Sequence, residues 1–172
     1  MSCSRRVVLL TGLAGLAGLA GGCGFRPLYG TAGFSNRVTA HLAAIQLQPD
    51  RERTGLEIYN YLRDLLTPRG PSAAPLYRLS FNVVEEKDGL AIESDESITR
   101  YNLSLFATYV LQRADSGQVL TEGQARATAA YNVIRSEYAN LRAERDAQSR
   151  AAREVAFEIQ TRLAVFFDRA TT

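Results

Sequence analysis

Cys23 is the residue of this sequence whose type and position most clearly indicate a chemical reaction. It follows three small residues, Ala20, Gly21 and Gly22, at the end of a short apolar run. Small residues in this position suit cleavage by a signal peptidase. Cleavage before Cys23 leaves its thiol at the new N-terminus, where it can be acylated. The sequence therefore predicts a lipid attachment site at Cys23.

The segment before Cys23 has the organisation of a signal peptide. Two arginines form a charged start, and residues 7–20 form an apolar run of 14 residues. A helix that crosses a bilayer needs about 20 apolar residues, so residues 1–22 are interpreted as a cleaved signal peptide. The pattern resembles the bacterial lipobox, but Ala20 stands where leucine is usual. Ordinary secretion with an unmodified Cys23 stays open, as does export by the general or the twin-arginine route.

The charge and the cysteine content of the sequence exclude some classes of partner and of stabilising bond. Once residues 1–22 are removed, basic and acidic residues are equal at 18 each, so the mature chain is near neutral. Its net charge therefore does not favour binding to nucleic acid. The two cysteines are Cys3 in the leader and Cys23. No pair remains for a disulfide or a cysteine metal cluster, so the folded part must be stabilised by its apolar core.

Residue types that commonly catalyse reactions form no known motif. The sole histidine, His41, lies on a predicted strand without an evident partner. Phosphate-binding glycine loops and nucleophile elbows do not appear. Carboxylates are concentrated in one segment at Glu85, Glu86, Asp88, Glu93, Asp95 and Glu96. Their spacing is not that of a calcium loop, which favours a solvated hairpin. We expect no enzymatic activity, no cofactor and no metal site.

Hydrophobic periodicity predicts a strand and a helix in the first part of the folded region. Residues 38–47 are interpreted as a first strand. Thr54 and Glu57 have the spacing of a capping box, and apolar residues then recur at helical spacing until Thr67. Proline and glycine follow and end the helix.

Three more strands and a long helix are predicted downstream. Residues 77–83 alternate between apolar and polar, a turn is expected at residues 87–89, and residues 101–111 form a second clear strand. A tight turn at residues 115–117 leads into the last strand. From about Glu137 the apolar period becomes helical.

This order of elements predicts an α+β fold. A strand, a helix, three strands and a helix make a mixed four-stranded sheet with both helices packed on one face. The helical crossover makes the first two strands parallel, and the following meander adds antiparallel strands. We expect one domain at residues 38–172, preceded by a lipid-bearing tether at residues 23–37.

Two parts of the sequence resemble a known family. They are Gly22-Cys23-Gly24-Phe25-Arg26-Pro27-Leu28-Tyr29-Gly30 around the cysteine, and, towards the C-terminus, Tyr131-Asn132, Tyr138-Ala139, Asp146-Ala147 and residues 153–163. These motifs resemble the LPS-assembly lipoprotein family LptE in its alphaproteobacterial form. The order of strands and helices extends the resemblance over the mature chain.

The resemblance implies a non-enzymatic lipoprotein of the outer membrane, anchored by its N-terminal lipid on the periplasmic side. Members of the family sit as a plug inside the large β-barrel LptD and assist its assembly. The complex receives lipopolysaccharide from the periplasmic bridge and inserts it into the outer leaflet. In some members the lipoprotein binds lipopolysaccharide directly. The implied partners are thus an LptD-like barrel, lipopolysaccharide and the outer membrane.

The predicted sheet face opposite the helices carries Arg78, Arg100 and Arg126 on three consecutive strands. Arginine forms charge-assisted hydrogen bonds with phosphate, so these residues are the candidates for contact with lipid A phosphates. The more ordinary interpretation, solvated or salt-bridged strand residues, stays open. Phe106 and Val110 share this face unless a β-bulge turns them inward.

The tether contains the apolar residues Phe25, Leu28 and Tyr29, which do not suit a purely solvated linker. We expect them to dock onto the partner or the membrane interface. Two other classes of function stay open. One is a periplasm-facing lipoprotein that scaffolds another envelope complex, and the other is a secreted small-molecule binding module or hydrolase. The latter predicts a deep ligand pocket.

Overall fold

The part of the chain that the structure describes comprises residues 36–50, 52–68, 70, 72, 74–91 and 98–170 of a computed structural model. Its elements are α1 (Asn36–Ala43), β1 (Ile45–Leu47), α2 (Arg53–Leu66), β2 (Tyr77–Ala91), β3 (Ile98–Arg113), β4 (Val119–Asn132) and α3 (Glu137–Ala170). The strands form one sheet in the order β1-β2-β3-β4, with β1 parallel to β2 and the other neighbours antiparallel. The predicted α+β fold with a mixed four-stranded sheet is confirmed.

The helix α1 corrects the prediction that residues 38–47 form a strand throughout. Val38 and Leu42 are four residues apart and both buried, which is the spacing of a helix face. Only the last part of the segment is extended, and β1 is three residues long. The sheet pairing ends before Pro49, which has no backbone N–H to donate. The domain therefore contains one helix more than the sequence predicted.

His41 consequently lies on α1 and not on a strand. Its Nδ1 is 2.9 Å from the hydroxyl oxygen of Tyr77, and its ring stacks on Phe167 with a centroid distance of 5.1 Å. These contacts connect α1 to the beginning of β2 and to the end of α3. The sole histidine thus has a packing role in the described structure.

The start of α2 differs from the predicted capping box. The helix begins at Arg53, so Thr54 lies inside it, and the Thr54 hydroxyl donates to Glu85 Oε2 at 3.3 Å. Glu57 pairs with Arg53 at 3.2 Å and makes no capping contact. The N-cap residue is Glu52. Its backbone N–H donates to Asp50 Oδ1 at 3.3 Å. The N-cap is therefore two residues earlier than the sequence pattern indicated.

The predicted turn at residues 87–89 is also wrong, because β2 continues through it to Ala91. Lys87 pairs with Leu103 and Gly89 pairs with Tyr101 in an unbroken antiparallel register. The ladder to β3 thus outweighs the local turn preference of this segment. The predicted turn at residues 115–117 is confirmed, and Gly117 adopts a positive φ of 69° there, which glycine tolerates without strain.

The three long strands separate apolar from polar side chains by their period of two. Odd-numbered residues face the helices, and the buried ones are Leu79, Leu103, Leu105, Ala107, Tyr109, Leu111, Ala125, Ala127, Ala129 and Tyr131. Even-numbered residues face away from α2 and α3. All the apolar burial in this sheet therefore lies on the helix side.

The long helix α3 covers the sheet with a face of small side chains. It spans 34 residues, and its buried alanines are Ala147, Ala151, Ala152, Ala156 and Ala164. Alanine lets the helix approach β3 and β4 closely, while the larger Val155, Ile159 and Leu163 fill the remaining space. Within the described residues, every helix is too short or too polar to cross a membrane.

The pairing of Gly123 with Tyr109 across β4 and β3 gives a test of the packing. A Cβ at position 123 would lie 2.7 Å from the Tyr109 hydroxyl oxygen and 2.9 Å from its ring carbon Cζ. Because Tyr109 is buried and its ring is rigid, we expect Gly123→Ala to lower the free energy of unfolding by about 1–3 kcal/mol. Urea denaturation measures this change.

The matched control is the same substitution in a Tyr109→Leu background, where the clash is absent. There alanine should be neutral or slightly stabilising, since it restricts the unfolded chain more than glycine does. An equal loss of stability in both backgrounds would show that the Tyr109 contact is not the cause.

Candidate functional site

The candidate site is the sheet face turned away from α2 and α3, which we call the open face. It consists of the even-numbered residues of β2 from Arg78 to Leu90, of β3 from Arg100 to Gln112 and of β4 from Glu122 to Asn132. Nearly all of its described side chains are exposed or half-buried. The pairing registers arrange them in straight rows across the three strands.

The three predicted arginines all lie on the open face but far apart along the strands. Arg78 pairs with position 112 of β3, Arg126 pairs with position 106, and Arg100 is itself on β3. Successive arginines are thus six residue positions apart, which corresponds to about 20 Å at the rise of an antiparallel strand. No two of them can therefore bind the same phosphate group.

An apolar and aromatic cluster occupies the middle of the open face. Phe106 lies between Val84 on β2 and Arg126 on β4 in one row. The Arg126 guanidinium carbon is 4.7 Å from the centroid of the Phe106 ring, a cation–π geometry. The register of β3 is regular from Arg100 to Leu111, so no bulge turns Phe106 inward. The cluster formed by Val84, Phe106 and Arg126 is called the central row below.

The open face carries no net formal charge. Its three arginines are matched by Glu86, Asp88 and Glu122 on the same face. The hydroxyl groups of Ser104 and Thr128 add a neutral hydrogen bond of 2.9 Å beside the central row. This surface is therefore polar and balanced, and it is not a basic patch.

A groove of about 670 Å³ lies on the helix side, where the beginning of α3 meets the ends of β2, β3 and β4. Tyr101 and Tyr131 stack in it with a centroid distance of 5.6 Å. Tyr138 at its rim is 73 % exposed. Lys87 donates a hydrogen bond to Glu144 across the groove, and this bond raises the pKa of the Lys87 amino group. Burial raises the pKa of the Tyr131 hydroxyl.

The acidic segment noted in the sequence does not form a metal site in the described residues. Glu85 is engaged by Thr54, by Gln148 at 3.1 Å and by Lys87 at 3.5 Å. No group of three histidine, cysteine or carboxylate side chains with metal-binding geometry occurs in residues 36–50, 52–91 and 98–170 where they are described. The remaining acidic residues at positions 93–96 lie outside the described residues.

The predicted tether residues also lie outside the described part of the chain. These are the lipid attachment residue Cys23 and the apolar residues Phe25, Leu28 and Tyr29. Lipid attachment and docking by the tether therefore stay predictions.

Sequence reasoning missed two features of these surfaces. Val84 was not singled out, although the strand alternation already placed it on the polar face beside Asn82 and Glu86. The stacked pair of Tyr101 and Tyr131 requires the register between β3 and β4, which the sequence alone does not specify.

The fold is that of a small α+β domain with a four-stranded mixed sheet. A lipoprotein of Caulobacter crescentus CB15 has a similar structure, with a TM-score of 0.66, 28 % identity, and coverage of 76 % of this chain and 96 % of that one. The rare lipoprotein B of Shewanella oneidensis shares the fold with a TM-score of 0.57 at 12 % identity, covering 74 % and 97 % of the two chains. A curated protein of Rickettsia prowazekii without assigned function is 27 % identical over 147 residues, which are 86 % of this chain and 90 % of that protein.

The family model LptE, described as lipopolysaccharide-assembly, matches residues 41–163. This match covers most of the chain, and the chain therefore belongs to the LptE family. The family suggested by the sequence motifs is confirmed. By family the chain is a lipopolysaccharide-assembly protein.

The Lys87–Glu144 contact yields a pH-dependent prediction. The folded state holds the pKa of Lys87 above its ordinary value, so the stabilisation is complete below about pH 10 and is lost as the pH rises through the raised pKa. Because the Lys87 side chain is 39 % exposed, we expect Lys87→Met to cost no more than about 1 kcal/mol at pH 8. The difference from wild type should narrow above about pH 10.5.

Urea denaturation at pH 8 and at pH 11 measures this difference, with Lys87→Arg as the control that keeps its charge at both values. A Lys87→Met deficit that is the same at both pH values would contradict the assignment.

Proposed function

We propose that this protein is an outer-membrane lipoprotein that plugs an LptD-type β-barrel, helps it to assemble and takes part in the transport and insertion of lipopolysaccharide. The proposal rests on membership of the LptE family. Anchoring by a lipid on Cys23, on the periplasmic side of the outer membrane, belongs to the same proposal. The protein acts by binding and not by catalysis.

The observation that carries the proposal is the composition of the open face. The lumen of a transmembrane barrel is polar, so a plug inside it needs a polar surface. Burying isolated charges is costly, whereas paired charges of opposite sign are tolerated. The arginines and carboxylates of the open face are equal in number, which suits contact with a polar wall.

The central row supplies the anchor of this contact. Interfaces obtain most of their binding energy from a few aromatic, arginine and apolar side chains surrounded by polar ones. Phe106 and Arg126 are already packed together at 4.7 Å, and Val84 is 50 % exposed beside them. We infer that the central row meets the barrel wall.

Co-purification tests this proposal. We expect wild-type protein, extracted in mild detergent, to recover a large barrel protein whose electrophoretic mobility changes on heating. Val84→Asp should reduce the recovery at least fivefold, since it places a charge in the apolar centre of the contact. Leu56→Asp is the matched control, because Leu56 is an aliphatic residue of similar exposure, 47 %, on α2.

Equal recovery of the barrel with both variants would show that the open face does not contact it. Recovery of other envelope proteins without any barrel would support the alternative function, a lipoprotein that scaffolds a different complex.

Direct binding of lipopolysaccharide by the arginines is a separate part of the proposal. Because successive residues among Arg78, Arg126 and Arg100 are about 20 Å apart along the strands, each would contact a different group. We expect each single change to alanine to weaken binding by about tenfold or less, with losses that multiply in the triple variant. Arg145→Ala on the exposed surface of α3 is the control.

Binding of purified lipopolysaccharide, measured by titration with a fluorescent derivative, decides this point. An unchanged affinity of the triple variant would exclude the arginines as the binding groups.

A further inference from the structure

The outer edge of β2 has little pairing within the described residues. β1 pairs only with residues 77–79 of β2, and the last bond is donated by the Gln48 N–H to the Leu79 carbonyl at 3.0 Å. Pro49 follows and has no N–H, so the parallel pairing stops there. β2 itself continues to Ala91.

The hydrogen bonds at the start of β2 show which backbone groups point outward. Tyr77 donates its N–H to Ala44, and Leu79 accepts from Gln48, both on the β1 side. The Leu76 carbonyl accepts from Ala114 beyond the end of β3. In a strand the N–H and C=O of one residue point to the same edge, and the edges alternate along the chain.

The register of β2 with β3 is regular up to Leu90, so this alternation holds along the whole strand. The outward backbone groups are therefore those of the odd-numbered residues Phe81, Val83, Glu85, Lys87 and Gly89. Within the described residues no hydrogen bond reaches these N–H and C=O groups.

At the opposite edge of the sheet, side chains of the same domain bind some of the outward backbone groups of β4. On β4 the outward N–H of Arg126 donates to Glu158 at 2.9 Å, and the Ala130 carbonyl accepts from Arg150 at 3.1 Å. Both side chains come from α3, which thus binds two of the outward backbone groups of β4. An unoccupied row of backbone donors and acceptors is a template for another strand, and β2 offers one.

Charge at the β2 edge selects the strand that fits. Glu86 and Asp88 are exposed on the open face, while on the helix side Lys87 is held by Glu144 and Glu85. Cross-strand pairs of opposite charge are favourable, and like charges directly opposite each other are unfavourable. An added strand with basic side chains at alternate positions would stand opposite Glu86 and Asp88.

A second copy of this chain would pair poorly across the charged part of the edge, residues 85–88. Two antiparallel β2 edges related by a two-fold axis pair each residue at the axis with itself. An axis at any position from Glu85 to Asp88 therefore sets like charges opposite each other, because all four residues are charged.

We propose that the β2 edge from Phe81 to Gly89 binds an extended segment of a partner protein, which adds a fifth strand to the sheet and carries basic side chains at alternate positions. This inference goes beyond the proposed function and does not depend on it, since any envelope protein can supply the segment. The backbone groups provide the binding energy, and Glu86 and Asp88 select the partner.

Amide hydrogen exchange on the full chain in a neutral detergent tests the proposal. The probe is a nine-residue peptide that alternates lysine and valine, capped at both ends, and the control peptide has glutamate in place of lysine. In the free protein we expect outward amides of residues 81–89 to exchange fast and inward amides to exchange slowly. The lysine peptide should slow the outward amides at least tenfold and leave the inward amides unchanged.

Two variants separate the backbone from the charge contribution. Glu86→Lys combined with Asp88→Lys should lower the affinity for the lysine peptide about tenfold and raise it for the glutamate peptide. Gly89→Pro removes one outward donor and should weaken both peptides without disturbing the ladder to β3. Slow inward amides report in each case that the variant is folded.

Three results would overturn the proposal. One is the absence of added protection with the lysine peptide. Another is the finding that the outward amides are already protected in the free chain. Protection that depends on protein concentration would mean that a second copy covers the edge. Protection that does not depend on it would mean that the chain itself covers the edge. The third is equal binding of both peptides.

Discussion

The side-chain alternation of three long antiparallel strands is the constraint on which the rest of this structure depends. The regular register of residues 77–90, 100–111 and 121–132 places their odd-numbered residues towards the helices. A slip of one residue would exchange the buried and exposed faces completely. The apolar core, the balanced open face and the outward groups of the β2 edge are all consequences of this one register.

The helices cover only one face of the sheet, which is the face that the register makes apolar. The alanines of α3 allow close contact with β3 and β4, and Gln160 of α3 donates to the Leu65 carbonyl of α2 at 3.0 Å, which joins the two helices. Because both helices lie on the same side, they leave the open face uncovered. A two-layer arrangement of this kind leaves one face of the sheet available for contacts.

The parts of the fold that depend on long periodic patterns were predictable from the sequence. The alternation in residues 77–83 and 101–111 and the helical period after Glu137 gave the order of the main elements. Short or capped elements were not predictable in the same way. Residues 38–47 contain both a helical pair, Val38 and Leu42, and an alternating end, and only the tertiary contacts decide between them.

The candidate site was predictable in its side-chain types but not in its geometry. Strand alternation placed Arg78, Arg100 and Arg126 on one face, yet their separation depends on the pairing register between strands. In the same way, Thr54 has the sequence signature of a cap but bonds to Glu85 on β2. Such contacts join residues far apart in the chain, and local patterns carry no information about them.

The two bonds from α3 to the β4 edge have a consequence for the folding chain. Glu158 and Arg150 belong to α3, which follows β4 in the chain, so they reach β4 only after the three long strands have been synthesised. Until then the meander of β2, β3 and β4 has two open edges and an uncovered apolar face, the state in which nascent β-proteins are most prone to aggregate. Packing of α3 on the sheet thus ends the exposure of that apolar face and protects part of the β4 edge.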